Sequence, residues 1–275
     1  MKFSVLISVY KNEKPENFAE AMDSILAQTL LPDEIILMRD GPVPEVMQKT
    51  IDKYLYGEYR NLFSYYPMEQ NRGLGNALRI GVEKAKYDYI ARMDTDDVSV
   101  PNRFKIQTEY MERHPEISVC GGQIYEFIEK KENVSGKREV PQTHDEITRF
   151  MKTRNPFNHV TVMFKRQDVL DAGNYIEMHL VEDYYLWCRM LVKGYQFANL
   201  SDILVYARTG ENMYLRRGGY KYYLSWKSIE NYKLDNGITG ITDYVKTLAM
   251  RFCIQVLTPN KARGMILKRY ARKKH

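Results

Sequence analysis

Apolar and polar positions in the first hundred residues follow two alternating rhythms. Short runs at 3–9, 34–38, 62–66 and 89–93 are rich in apolar residues at consecutive positions, the pattern of strands buried on both faces. Between them, 15–28, 44–55 and 75–86 repeat apolar residues at helical spacing. Phe18, Met22, Ile25 and Leu26 share one face of the first, and Leu78, Val82 and Ala85 one face of the third. Strands alternating with helices of this length predict an α/β fold with a parallel, doubly wound sheet.

Beyond residue 100 the pattern is mixed. Residues 101–114 read as a helix, 117–127 as a strand and 129–137 as a charged surface loop. A strand is expected at 159–165, an amphipathic helix at 181–193 and a further strand at 195–207. From Glu211 the chain turns helical and aromatic, with Tyr214, Tyr220, Tyr222, Tyr223 and Trp226 close together. No repeat or low-complexity tract interrupts it. The expected organisation is one α/β domain over 1–207 and a helical extension over 208–275.

Composition narrows the class. With 275 residues, 44% hydrophobic and 28% charged, the chain matches an ordinary globular protein. Cys120, Cys188 and Cys253 lack metal-ligand spacing and fit buried thiols in a reducing cytoplasm. The first residues enter a strand-like run with no basic leader, which argues against secretion. No stretch reaches the roughly 18 apolar residues of a membrane-spanning helix.

The net charge of +6 is unevenly placed. No Asp or Glu follows Asp243, whereas nine Lys and Arg residues do; removing nine from 41 leaves 32 basic against 35 acidic residues before that point. An acidic body with a basic tail argues against a nucleic-acid-binding surface and for a local contact with an anionic one. The tail also carries Leu248, Phe252, Ile254, Val256 and Leu257. Docking on an anionic membrane surface and packing on the body as a solvated helix are both open to it. The Tyr/Trp cluster could add interfacial anchoring.

The chemistry concentrates at 89–98, Tyr-Ile-Ala-Arg-Met-Asp-Thr-Asp-Asp-Val. Three carboxylates, Asp94, Asp96 and Asp97, stand at the carboxyl end of an apolar strand, where α/β proteins bind ligands. Carboxylates so close repel one another, and Mg²⁺ or Mn²⁺ shared with substrate phosphates would hold them ionised. An Asp-rich turn gives the same pattern. Gly73 and Gly75 suit a helix N-terminal turn or close approach to a ligand. Glu182 and Asp183 open a helix, where acids commonly serve only the helix dipole. His159 is either a structural residue at a strand start or part of a site. Arg103 reads as a surface or ion-paired helix residue, and Arg216-Arg217-Gly218-Gly219 as a solvated turn or a basic loop over phosphates.

The order of these motifs resembles the family 2 glycosyltransferases of the GT-A fold. Ser4–Tyr10 and Asp33–Gly41 look like that family's first two strands, Asn71-Arg-Gly-Leu-Gly its Asn-x-Gly segment and Asp94-Thr-Asp-Asp97 its DxDD motif. Pro101-Asn-Arg-Phe104 and Glu182-Asp183 with Trp187 complete the set, over about residues 3–207. The nearest subgroup is the amylovoran-biosynthesis-like transferases of exopolysaccharide, capsule and O-antigen assembly.

The resemblance implies a nucleotide-sugar donor, with UDP the commonest nucleotide and GDP or dTDP the alternatives. It places Val9, Asp40, Asn71, Arg72, Asp94 and Arg217 at the donor and Asp96 with Asp94 at a Mn²⁺ or Mg²⁺ ion. Asp183 is implied as catalytic base, with Glu182 one register step away, and His159 as acceptor-proximal. Arg39 stands where the family usually has the first of two aspartates. The family's stereochemistry implies inversion. Without the QxxRW motif of processive synthases, a single addition is expected. A lipid-linked saccharide acceptor would place the protein at the inner face of the membrane. Two other enzymes share parts of the pattern. A haloacid-dehalogenase-type phosphatase has a DxDx(T/V) motif, but normally after its first strand. A sugar-nucleotide pyrophosphorylase needs a Gly-rich loop after strand one, and 9–15 contains no glycine.

Overall fold

A computed structural model describes residues 1–210 and 218–259. The first half runs β1 (Phe3–Val9), α1 (Pro15–Leu26), β2 (Glu34–Arg39), α2 (Glu45–Leu55), β3 (Phe63–Pro67), α3 (Leu74–Lys84) and β4 (Tyr89–Met93). β1 pairs in parallel with β2 and β4, and β2 with β3. Val9 therefore lies opposite Arg39, and Ile7 opposite Met93. The next residues along β2 and β4 are Asp40 and Asp94, so both acids leave the sheet at one edge.

The second half adds β5 (Val98–Ser99), α4 (Arg103–Arg113), β6 (Ile117–Ile128), β7 (Lys130–Arg138), α5 (His144–Met151), β8 (Met163–Lys165), α6 (Arg166–Asp171), α7 (Glu182–Val192) and β9 (Gln196–Arg208). The extension forms α8 (Tyr220–Asp235) and α9 (Ile241–Phe252). The strands join in the order β3-β2-β1-β4-β8-β6-β9-β5, with β7 beside β6. β8 runs antiparallel to both β4 and β6, inserting a reversal into a sheet otherwise built on the parallel β3-β2-β1-β4 block.

Side-chain alternation divides β1 between two apolar layers. Leu6 joins Ile36, Leu78, Phe164 and Trp187 on one face; Val5, Ile7 and Val9 join Phe18, Met47 and Phe104 on the other. Both faces are covered, which explains why these strands read as continuous apolar runs.

Several expectations change. Residues 129–137 were expected as a loop, but most of them form β7, antiparallel to β6. Its first five side chains are exposed, so no apolar alternation marks it. The strand expected at 159–165 is a 3₁₀ turn at His159–Thr161 followed by three strand residues. Helix α5, absent from the sequence reading, carries Ile147, Phe150 and Met151 at helical spacing and begins with a capping box between Thr143 and Glu146. Tyr222 and Trp226 are buried in the same core as Tyr184 and Trp187, and so do not serve as interfacial anchors. Tyr214, Arg216, Arg217 and the tail from 260 lie outside the described residues.

Candidate active site

The acidic loop is built on two buried arginines. Arg92, within β4, is 2% exposed, and its guanidinium meets the Asp94 carboxylate at 2.5 Å. Arg103 was expected on a helix surface. It is fully buried instead, donating from Nη2 to the Arg92 carbonyl at 2.7 Å and from Nε to Gln107 at 3.0 Å. Burial and the nearby Arg92 charge pull Arg103 down to about 9. It braces β4 from beneath the loop.

Arg208, at the end of β9, holds the loop from the other side. Its backbone N–H donates to Asp97 at 2.7 Å and its Nε to the Asp96 carbonyl at 2.9 Å. The same guanidinium pairs with Glu20 at 2.5 Å, donates to the Glu129 carbonyl and lies over the Phe127 ring. The sequence showed only an arginine ending an apolar run, which carries no hint of this role. Thr95 is anchored as well, donating to Glu13 at 2.8 Å.

Asp94, Asp96 and Asp97 thus present carboxylate oxygens within 4.8 Å of one another. Burial, followed by repulsion from Asp94 and Glu13, pushes Asp96 up to about 7. Asp97 is also raised well above its usual value, by burial and then by Asp96 and Asp94. A compact set of hard oxygen donors whose ionised forms repel one another fits Mg²⁺ or Mn²⁺.

These aspartates line one wall of a cleft of about 1120 Å³. Asp183 and His159 line it too, so the structure brings four of the expected site residues, Asp94, Asp96, Asp183 and His159, around one space. Asp183 sits in the first turn of α7, and Asn155 Nδ2 donates to its Oδ2 at 2.6 Å. Asn155 is fixed in turn by the Phe157 N–H, which donates to its Oδ1. Burial raises the Asp183 carboxyl above the usual range despite these bonds. His159 bonds the Tyr175 hydroxyl through Nε2 at 2.9 Å, and burial and Arg92 hold it well below its usual value, hence neutral.

Glu182 does not line the cleft. It is 8% exposed, and burial, then Asp183, push it up to about 8 from an ordinary 4.5. Between those values the native chain holds a proton that the unfolded chain has released. The stability contributed by Glu182 is therefore fully present below about 4.5 and is lost as pH rises through about 8. Glu182→Gln should flatten that decline in thermal-melting profiles; an unchanged slope would show that Glu182 is not buried as a neutral acid.

Among the described residues, Val9, Asp40, Asn71 and Arg72 form a second group at the ends of β1 and β2, outside this cleft. Both Asp40 oxygens accept backbone N–H groups, from Arg72 at 2.7 Å and Gly73 at 3.0 Å. Asn71 Nδ2 donates to the Asp40 carbonyl at 3.1 Å, and the Asp40 N–H donates to the Val9 carbonyl at 2.8 Å. The Val9 side chain is itself buried. Arg39, at the place of the family's first aspartate, donates to Gln48 at 2.9 Å. Gly41, at φ +83°, passes so close to Asn71 that a Cβ would lie 2.5 Å from its nitrogen. Glu177 is an addition that sequence reading missed. Its carboxylate accepts the Asn76 N–H at 3.2 Å and packs against Gly73 and Gly75, across about a hundred residues of chain.

The family model for glycosyl transferase family 2 matches residues 4–173. Amylovoran biosynthesis glycosyltransferase AmsE of Erwinia amylovora is 40% identical over 241 residues, covering 86% of this chain and 88% of its own. An Escherichia coli protein, UDP-Gal:alpha-D-GlcNAc-diphosphoundecaprenol beta-1,3-galactosyltransferase, is 31% identical over 272 residues, covering 99% of this chain and 97% of its own. Among solved structures, S. aureus TarS 1-349 in complex with UDP-GlcNAc superposes with a TM-score of 0.68 at 19% identity. It covers 93% of this chain and 74% of its own, a likeness of GT-A fold. With a model spanning most of the sheet and full-length relatives on either side of one-third identity, the chain belongs to glycosyl transferase family 2.

Proposed function

We propose that this enzyme transfers one sugar from a UDP-sugar to a lipid-diphosphate-linked saccharide in surface-polysaccharide assembly, with inversion at the anomeric carbon. The observation that carries the reading is the placement of Asp183 on the same cleft as the Asp94–Asp96–Asp97 cluster. The UDP-Gal donor and diphosphoundecaprenol-linked acceptor in the Escherichia coli relative's name support the substrate classes, and the amylovoran biosynthesis in AmsE's name supports polysaccharide assembly.

In this reading Asp183 takes the proton of the acceptor hydroxyl. That oxygen attacks the anomeric carbon while the bond from the same carbon to the phosphate oxygen breaks, releasing UDP. The raised Asp183 carboxyl makes it a stronger base once ionised. Asn155 keeps its Oδ2 oriented. Asp96 and Asp94 would hold Mn²⁺ or Mg²⁺, which supplies Lewis-acid stabilisation of the departing diphosphate. His159, neutral and bonded to Tyr175, would face the acceptor as a polar wall. Asp40, Asn71 and Arg72 shape the edge at which the nucleotide would lie; Arg217 would add a charge from outside the described residues. The direct test is transfer itself, with a UDP-sugar, Mn²⁺ and a synthetic sugar-diphosphate-lipid. UDP release should track product one for one, and donor turnover without glycoside would contradict the reading.

The membrane part of the proposal rests on α9. Ile241, Val245, Met250 and Phe252 are exposed, whereas the buried side chain of that helix is Thr247. Exposed apolar side chains, Ile241 and Val245 on one side of the helix, followed by a tail without acidic residues, suit shallow insertion into an anionic surface. No helix among the described residues is long and apolar enough to cross a membrane. In sedimentation with vesicles, binding should require anionic lipid, fall with salt and weaken on truncation after Pro259. Equal sedimentation of the full and truncated chains would remove the tail from the account.

A further inference from the structure

Basic side chains also form part of the cleft's wall, one of them from the extension. Arg154 and Arg251 both line it. Arg251 Nη2 makes one long bond, 3.3 Å, to the Thr153 carbonyl, and its Nε is buried without a partner. Its guanidinium carbon lies 3.0 Å from the centre of the Trp226 ring, which packs in turn on Tyr184. Arg154 extends over the Phe150 ring at 5.5 Å. Neither arginine has a carboxylate within ion-pair distance among the described residues. By contrast, Arg92 and Arg208 in the same region are each paired with an acid.

Three consecutive residues tie this wall to the base. The Thr153 carbonyl accepts from Arg251, Arg154 supplies the second charge, and Asn155 donates to Asp183. In an acceptor of a single sugar on its diphosphate, the reacting hydroxyl and the phosphate share one ring, so the two must be held a ring's width apart. Guanidinium groups are well suited to phosphate oxygens through paired, charge-assisted hydrogen bonds.

We propose that Arg154 and Arg251 form the seat of the acceptor's diphosphate, in the same cleft as Asp183. This rests on the transferase reading above and adds a recognition element to it. An enzyme so built selects a sugar by what it is attached to, and discriminates against the same sugar lacking phosphate.

The probe is inorganic pyrophosphate, titrated calorimetrically into the full chain in EDTA, where the acidic cluster has no cation and repels anions. Wild-type protein should bind it, and Arg154→Gln and Arg251→Gln should each weaken it about tenfold or more, as loss of a charge-assisted bond does. UDP affinity in Mn²⁺ should stay unchanged in both variants. In turnover, KM for the diphosphate-bearing acceptor should rise with kcat little altered, and Arg154→Lys should recover part of the loss. Absence of pyrophosphate binding in EDTA overturns the proposal. So does a parallel loss of UDP affinity, which would assign the arginines to the donor. Because the EDTA arm uses no nucleotide, it is readable even if the wild-type chain fails to bind UDP, the result that would instead sink the transferase reading. Arg154 is exposed, so its variants report binding without a folding defect.

Discussion

Asp183→Asn should leave UDP affinity nearly intact and lower turnover about 10²–10⁴-fold, the usual contribution of a general base, the role proposed for it. The substitution keeps the side chain's size and its place in the first turn of α7, and removes only basicity. Asn155 Nδ2 would then face either an amide oxygen or an amide nitrogen, so the variant loses one charge-assisted bond at most. Glu182→Gln, one residue earlier, serves as the control. Its carboxyl is buried off the cleft and pushed up to about 8, which suits a neutral structural acid better than a base. Steady-state kinetics on both variants decides the register. A dead Glu182→Gln beside an active Asp183→Asn would transfer the role to Glu182.

Asp96→Ala has the second large effect, on metal-dependent donor binding. Removing one of three carboxylates within 4.8 Å takes away a proposed metal ligand and relieves part of the repulsion that raises Asp97. The variant should fold, since Arg208 still holds Asp97 and the backbone carbonyl at 96. Calorimetry should show UDP binding that no longer improves with Mn²⁺. Turnover should fall by roughly 10³-fold or more, as expected when several kcal/mol of Lewis-acid stabilisation is lost. Equal UDP affinity of wild-type protein in EDTA and in Mn²⁺ would contradict a metal role for the cluster.

How much of this was legible in the sequence depended on whether a feature is local. β1 and β4 are buried on both faces, so their apolar runs were unambiguous, and the acids following β4 stood out against them. Family likeness then supplied roles that spacing could not. It also separates this enzyme from the phosphatase and pyrophosphorylase patterns, which share only single motifs with it. What failed to show was long-range. Asn155 meets Asp183 across 28 residues, and Arg208 meets Asp97 across 111; no local pattern signals either bond. Arg103 looked like a surface residue because a charged side chain on a helix usually is one, yet it is buried beneath β4. Tyr222 and Trp226 had the composition of a membrane belt, and tertiary packing turned them inward onto Tyr184. For α9 the amphipathic pattern was readable while its direction was not. Ile241, Val245 and Met250 stay exposed along α9, while Phe252 packs edge-on against Tyr223 of α8. β7 escaped notice because an edge strand with solvated side chains lacks the alternation by which strands are recognised.

Direct displacement across this cleft is tested most simply by the anomeric configuration of the product. Proton NMR of the glycoside formed from an α-linked UDP-sugar, on a sugar-diphosphate-lipid acceptor in Mn²⁺, reads that configuration from a single coupling. Attack by a hydroxyl deprotonated at Asp183, on the face opposite the departing UDP, predicts a β-glycoside. An α-glycoside would show retention and contradict single displacement with Asp183 as its base.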